Sequence, residues 1–172
     1  MRAAGRSLNL TEWVVLAVAA EGTTHGFDVA RLLGEGGELG RIWTVKRPLV
    51  YRAIDSLGRA GLLTAAGTEL GERGPNRQLV QVTPVGRRSV DKWLREPVAH
   101  VRDVRTELLL KLALLDRRRK SPQDLLERQR EVLGPTVEGL QEQLAGAEGF
   151  DAVLARWRVA SAEAVTRFLD SL

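Results

Sequence analysis

Apolar positions along the chain fall into two regimes. Up to about residue 95, short apolar stretches of changing period alternate with glycine-rich or charged turns. Beyond Pro97, helical stripes follow one another without strand-like alternation. Residues 10–21 are apolar nearly all round, which predicts a deeply buried first helix. Thr11 and Glu12 stand where an N-cap and a first acidic residue belong, and Gly22 ends the segment. Thr23-Thr24-His25-Gly26 predicts a turn whose hydroxyls cap a second helix over about 26–34, with Phe27, Val29, Ala30, Leu32 and Leu33 as its apolar positions. A glycine-rich connection follows. The third helix spans about Arg47 to Ala60, with Pro48 in its first turn and Gly61 after its end. Val50, Tyr51, Ile54 and Leu57 form its inner face, so Tyr51 is expected in the core with its hydroxyl at the surface. Leu49, Arg52, Ser56 and Arg59 form the opposite face.

The period then changes. Leu62–Ala65 and Gln78–Thr83 are short β-prone runs around Gly71-Glu72-Arg73-Gly74-Pro75-Asn76-Arg77, a hairpin with a charged tip. Thr83-Pro84 opens a fourth helix reaching about Arg95. Three further helices account for the rest. The first, about 101–119, shows Val101, Val104, Leu108, Leu112 and Leu115. The second starts at Ser121-Pro122 and repeats Leu126, Leu133 and Leu140 at seven-residue steps, and Gly134-Pro135 inside it should kink or split it. The third, about 150–170, carries Phe150, Trp157 and Phe168 on its stripe.

Composition narrows the chemistry. The 172 residues include no cysteine and two histidines, His25 and His100, which removes disulfide scaffolds, thiol catalysis and Cys- or His-rich metal sites; no metal and no cofactor is expected. No Gly-x-Ser-x-Gly, HExxH or phosphate-loop pattern stands where an enzyme needs it, so the chain reads as a non-enzyme. The apolar run Trp13–Ala20 resembles a secretory signal core but follows helix-capping residues and is far shorter than the about 20 residues a membrane span needs. The reading is a cytoplasmic protein without membrane association.

Charge is unevenly distributed. Residues 1–100 hold fourteen Lys/Arg against ten Asp/Glu, whereas 101–172 hold twelve of each. The excess concentrates in 39–60 and 71–88, the third helix and the hairpin. Helix, helix, helix, hairpin, helix is the plan of a winged helix-turn-helix, in which the third helix enters a major groove and the wing reaches the neighbouring backbone. The fold class is therefore mainly α, with a winged helix-turn-helix domain (8–95) bearing a two-stranded wing, followed by a C-terminal α-helical dimerisation domain (96–172). The expected DNA-binding residues are Lys46, Arg47, Leu49, Tyr51, Arg52, Ser56, Arg59, Arg73, Asn76 and Arg77. A winged helix that binds proteins instead of DNA is the alternative.

His25-Gly26-Phe27-Asp28-Val29, Leu49-Val50-Tyr51-Arg52, Leu57 through Gly61-Leu62, Val82-Thr83-Pro84-Val85-Gly86-Arg87 and Trp93-Leu94 together resemble the PadR family of transcriptional regulators over roughly residues 8–95. Glu107-Leu108-Leu109-Leu110-Lys111 and the long helices after it resemble the larger subfamily with a helical dimerisation domain. The chain departs from that pattern at Lys46-Arg47-Pro48, where small polar residues and a glycine are usual, and at Leu79-Val80, where an aromatic pair is usual. The resemblance implies a homodimer on a pseudo-palindromic double-stranded DNA operator, usually repressing, released by a small-molecule effector or another signal.

Apolar faces beyond residue 100 exceed what that segment covers by itself, which independently points to a homodimer through Leu108, Leu112, Leu126, Leu133, Leu140, Phe150, Trp157 and Phe168. Some small PadR relatives line a ligand pore with an aromatic residue; Trp93 and Trp157 are read either as such effector contacts or as packing residues.

Overall fold

The computed structural model describes residues 7–69 and 77–172. The chain divides into two compact units, Met1–Leu94 and Arg95–Leu172. In the first, α1 (Leu10–Ala19), α2 (Gly26–Leu33), α3 (Arg47–Arg59) and α4 (Pro84–Trp93) surround a small antiparallel sheet of β1 (Thr24–His25), β2 (Leu63–Glu69) and β3 (Arg77–Val82), ordered β1-β3-β2. The two-stranded hairpin expected from sequence thus gains a third strand. Thr24 and His25, expected as a turn, pair with Val80 and Leu79.

The helix caps also differ from expectation. Asn9, not Thr11, caps α1. Its side chain accepts from the Glu12 N–H while Glu12 accepts from the Asn9 N–H, a reciprocal capping box. For α2 the cap is the imidazole of His25, whose Nδ1 accepts from the Asp28 N–H; no hydroxyl is used. The core of this unit is Val14 to Ala20, Val29, Leu33, Val50, Leu57 and Val90. Trp13 of α1 lies flat on Trp93 of α4, ring centroids 5.4 Å apart and planes within 1°. Arg87 donates to the Ala20 carbonyl at the end of α1 (2.8 Å), so this member of the basic 71–88 stretch is a helix cap.

The second unit is helical throughout its described elements. A short α5 (Val101–Asp103) runs through a π-helical turn (Val104–Leu108) into α6 (Leu109–Arg117), followed by α7 (Gln123–Ala145) and α8 (Gly149–Asp170). Pro135 neither splits nor ends α7, which stays one helix of 23 residues. Buried Gln129 on α7 holds residue 98 like a strand partner: the Val98 N–H donates to its Oε1 (2.8 Å), and its Nε2 donates to the Val98 carbonyl (2.9 Å). Arg130 donates to the Leu169 carbonyl and faces Asp170, tying α7 to the end of α8. The helical spacing Val104, Leu108, Lys111, Leu115 places a lysine on the buried stripe. Lys111 Nζ, 1% exposed in its side chain, donates to Glu107 (2.8 Å) and to the Glu96 carbonyl (2.7 Å).

Candidate nucleic-acid interface

The outer stripe of α3 carries Leu49, Arg52, Ser56 and Arg59, residues that recur every three or four positions. Leu49 is exposed, as are Arg52 and Arg59. The stripe borders a shallow depression of about 440 Å³ that Asn9 and Thr11 close from the α1 side. Ser56 is a correction to the sequence reading. Its hydroxyl donates to Glu12 Oε1 (2.6 Å), and Glu12 is buried. Ser56 is therefore a strut between α1 and α3, not a donor held out to DNA.

A second row, Arg47 and Tyr51, runs along the flank of α3 that meets α2. Here too the sequence reading needs correcting, because Tyr51 lies outside the core, 39% exposed. Its ring lies over the first residue of α2, where a Cβ on Gly26 would stand 2.7 Å from Tyr51 Cε1. Only a residue without a side chain permits that approach. The Arg47 guanidinium sits 5.5 Å from the Tyr51 ring centroid and 5.4 Å from that of Phe27, with a long contact to the Tyr51 hydroxyl (3.4 Å). Arg77, the first residue of β3, lies 5.1 Å from the Phe27 centroid. Phe27, 40% exposed, thus carries one arginine from α3 and another from the wing on a single ring.

His25 organises the wing side of this cluster. Because Nδ1 accepts the α2 cap bond, the ring's N–H is placed on Nε2, within 3.2 Å of Asp28 Oδ2 and 3.5 Å of Glu69 Oε2. Arg77 Nη1 lies 3.2 Å from the same ring nitrogen, its guanidinium balanced by the two carboxylates gathered around the ring.

The described site residues therefore split. Lys46, Arg47, Leu49, Tyr51, Arg52, Arg59 and Arg77 are exposed on α3, its N-cap and β3, and Ser56 is engaged internally. Arg73 and Asn76 lie outside the described residues. Phe27 was read from sequence as an apolar position of the second helix and as part of the His25–Val29 motif, not as a contact residue, and Glu69 was not singled out. The one available signal was a glycine beside an aromatic residue at the mouth of a helix, with a tyrosine on the helix after it.

In the C-terminal unit the expected dimer residues also split. Leu108, Leu126 and Leu133 are buried within this chain and hold the unit itself together, which corrects their reading as partner contacts. Leu112 is half-buried. Leu140, Trp157 and Phe168 line an open cleft of about 950 Å³, and Phe150 and Trp157 are 77% and 70% exposed. Trp93 is 3% exposed and stacks on Trp13 within the first unit.

Three helices, a return strand and a wing, with a cationic third helix, constitute a winged helix-turn-helix. No protein-family model matches the sequence, and no curated protein matches it. Among solved structures, Bacillus subtilis PadR in complex with operator DNA matches over 96% of this chain and 98% of its own, with a TM-score of 0.51 at 20% identity. That likeness establishes the fold. Bacillus subtilis PadR in complex with p-coumaric acid (TM-score 0.43, 18% identity, 96% of each chain) and the PadR-like transcriptional regulator BC1756 from Bacillus cereus (0.42, 14%, 97% of this chain and 96% of that one) also match. Among the described residues no helix is long and apolar enough to cross a membrane.

Proposed function

We propose that this chain is a DNA-binding transcriptional regulator of the PadR type: a homodimer that reads a pseudo-palindromic operator through α3 and its wing. The observation that carries the reading is the Arg47–Phe27–Arg77 stack, which brings cations from the two basic stretches to one surface. A basic surface without that convergence would be an ordinary solvated face. A matching half-site for each protomer follows from two-fold symmetry. The regulator acts as a repressor released by a small molecule, with Trp157 its candidate contact.

The test is fluorescence anisotropy with DNA selected by the full chain from a random pool, titrated over salt. Each protomer offers Lys46, Arg47, Arg52, Arg59 and Arg77 among its described residues. If three or four reach phosphate, a dimer neutralises about 6–8, and log K against log salt should slope near −5 to −7. Arg52→Ala or Arg59→Ala should lower affinity by about 1–3 kcal/mol and relax specificity where the arginine reads a base. A flat salt dependence, or no enrichment of any sequence, would favour a protein-binding winged helix instead.

A further inference from the structure

The crest of α3 carries one acidic residue among its cations. At about 100° per residue, Asp55 points within about 15° of the direction opposite the mean of buried Val50, Ala53 and Leu57. Arg59 and Arg52 lie within about 50° of that same direction, and all three residues are exposed. The two arginines stand three positions before Asp55 and four after it, the spacings at which helical ion pairs form. No such pair is made among the described residues. Arg59 Nε donates instead to the main-chain carbonyl of Asp55 (3.4 Å), and the carboxylate faces solvent.

The other described carboxylates around this surface each hold a structural partner. Glu12 accepts from Asn9 and Ser56, Asp28 meets His25 and Arg31, and Glu69 meets His25. Asp55 has no such task, and aspartate is a poor helix former. On DNA its charge also costs affinity, because it weakens the attraction of the neighbouring arginines for phosphate. A specific hydrogen-bond donor on the DNA offsets that cost.

An ionised carboxylate only accepts hydrogen bonds. In the major groove, guanine N7 and O6, adenine N7 and thymine O4 are acceptors as well and repel it. The donors there are the amino groups of cytosine and adenine, and that of adenine lies beside the N7 acceptor. Cytosine is therefore the base a carboxylate fits best. We propose that Asp55 determines base specificity: in each half-site its carboxylate accepts from the N4 amino group of one cytosine, and it repels sequences that present only acceptors there. The inference rests on the DNA-binding reading above and assigns one base of the operator. Along the helix, Arg52 and Arg59 lie about 4.5 and 6 Å from Asp55, one to two base-pair steps of about 3.4 Å. Guanines read by the arginines thus fall next to that cytosine.

The test is selection from a random DNA pool by the full-length parent and by Asp55→Ala, with helical circular dichroism as the check on folding. The parent half-site should hold a C·G pair whose preference disappears in Asp55→Ala while the rest of the motif stays. N4-methylcytosine at that position keeps Watson–Crick pairing but removes the N–H that faces the groove. It should weaken parent binding at least fivefold and leave Asp55→Ala binding unchanged. Unselected DNA should bind Asp55→Ala at least twofold more tightly than the parent. An identical motif from both proteins, or parent binding that ignores the methyl group, overturns the proposal and leaves the regulator standing. A lost preference for A·T instead of C·G overturns the cytosine assignment. A folded parent that enriches no sequence overturns the DNA-binding reading, and the proposal with it.

Discussion

Phe27 shows how one side chain can matter without burial. Its ring keeps two guanidiniums beside each other that would otherwise move apart by repulsion and entropy. An exposed cation–π contact contributes about 0.5–1 kcal/mol. Phe27→Ala should therefore weaken DNA binding by roughly fivefold, about 1 kcal/mol, with little change in melting temperature. Phe27→Leu, which keeps the volume but not the π face, should fall with alanine rather than with the parent. Anisotropy titrations of the three proteins at one salt concentration decide it.

Lys111 poses a residue-scale question about pH. Burial pushes its ammonium below the ordinary lysine range, against the opposing pull of Glu107 and Glu96. The unfolded chain consequently holds this proton to higher pH than the folded one. Across the interval between the two values, unfolding takes up a proton and stability rises with pH. Relative to Lys111→Met, the parent should gain melting temperature as the pH is raised from neutral toward the ordinary lysine range. A gap between the two proteins that stays constant over that interval would show that the burial has no such effect.

Among elements, the connection entering the second unit depends on one glutamine. Gln129→Leu would keep the volume but leave the N–H and carbonyl of Val98 without the partners that now satisfy them. Each such group costs about 1–3 kcal/mol, so for the two of them chemical denaturation should show a loss of roughly 2–6 kcal/mol. This contact was not legible in the sequence. A glutamine on a helix usually faces water, and nothing local shows that a backbone segment 31 residues away lacks a partner. The helices themselves were legible because their apolar spacing is strong, as on α3, where Val50 and Leu57 are buried as the period requires. The caps were misplaced by a residue or two because Asn9 and His25 compete with threonines for the same bond. The third strand was missed because two residues carry no period at all.

For the whole molecule, the sequence placed positive charge in the first hundred residues but could not show which cations converge. Arg87 and Ser56 illustrate the difference. Both belong to the surface by type, yet one caps a helix and the other braces two. The apolar stripes of the C-terminal half had a similar fate. Leu126 and Leu133 of the seven-residue repeat lie inside the chain, as does Leu108, whereas Phe150, Val153 and Trp157 on α8 face out. A seven-residue repeat records that a helix has a partner without recording whose helix it is.

Gly26 fixes the height of the Arg47–Tyr51–Phe27 surface from below. With a hydrogen there, the Tyr51 ring settles onto the backbone and Arg47 lies within reach of both rings. A methyl at that point would occupy the space of Tyr51 Cε1, and the ring would have to rise. Gly26→Ala should then leave the helices folded but lift the tyrosine away from Phe27 and loosen Arg47. The loss would register as weaker grip on DNA at a position that touches none. The smallest residue in the unit thus acts as the shim on which the contact plane is levelled.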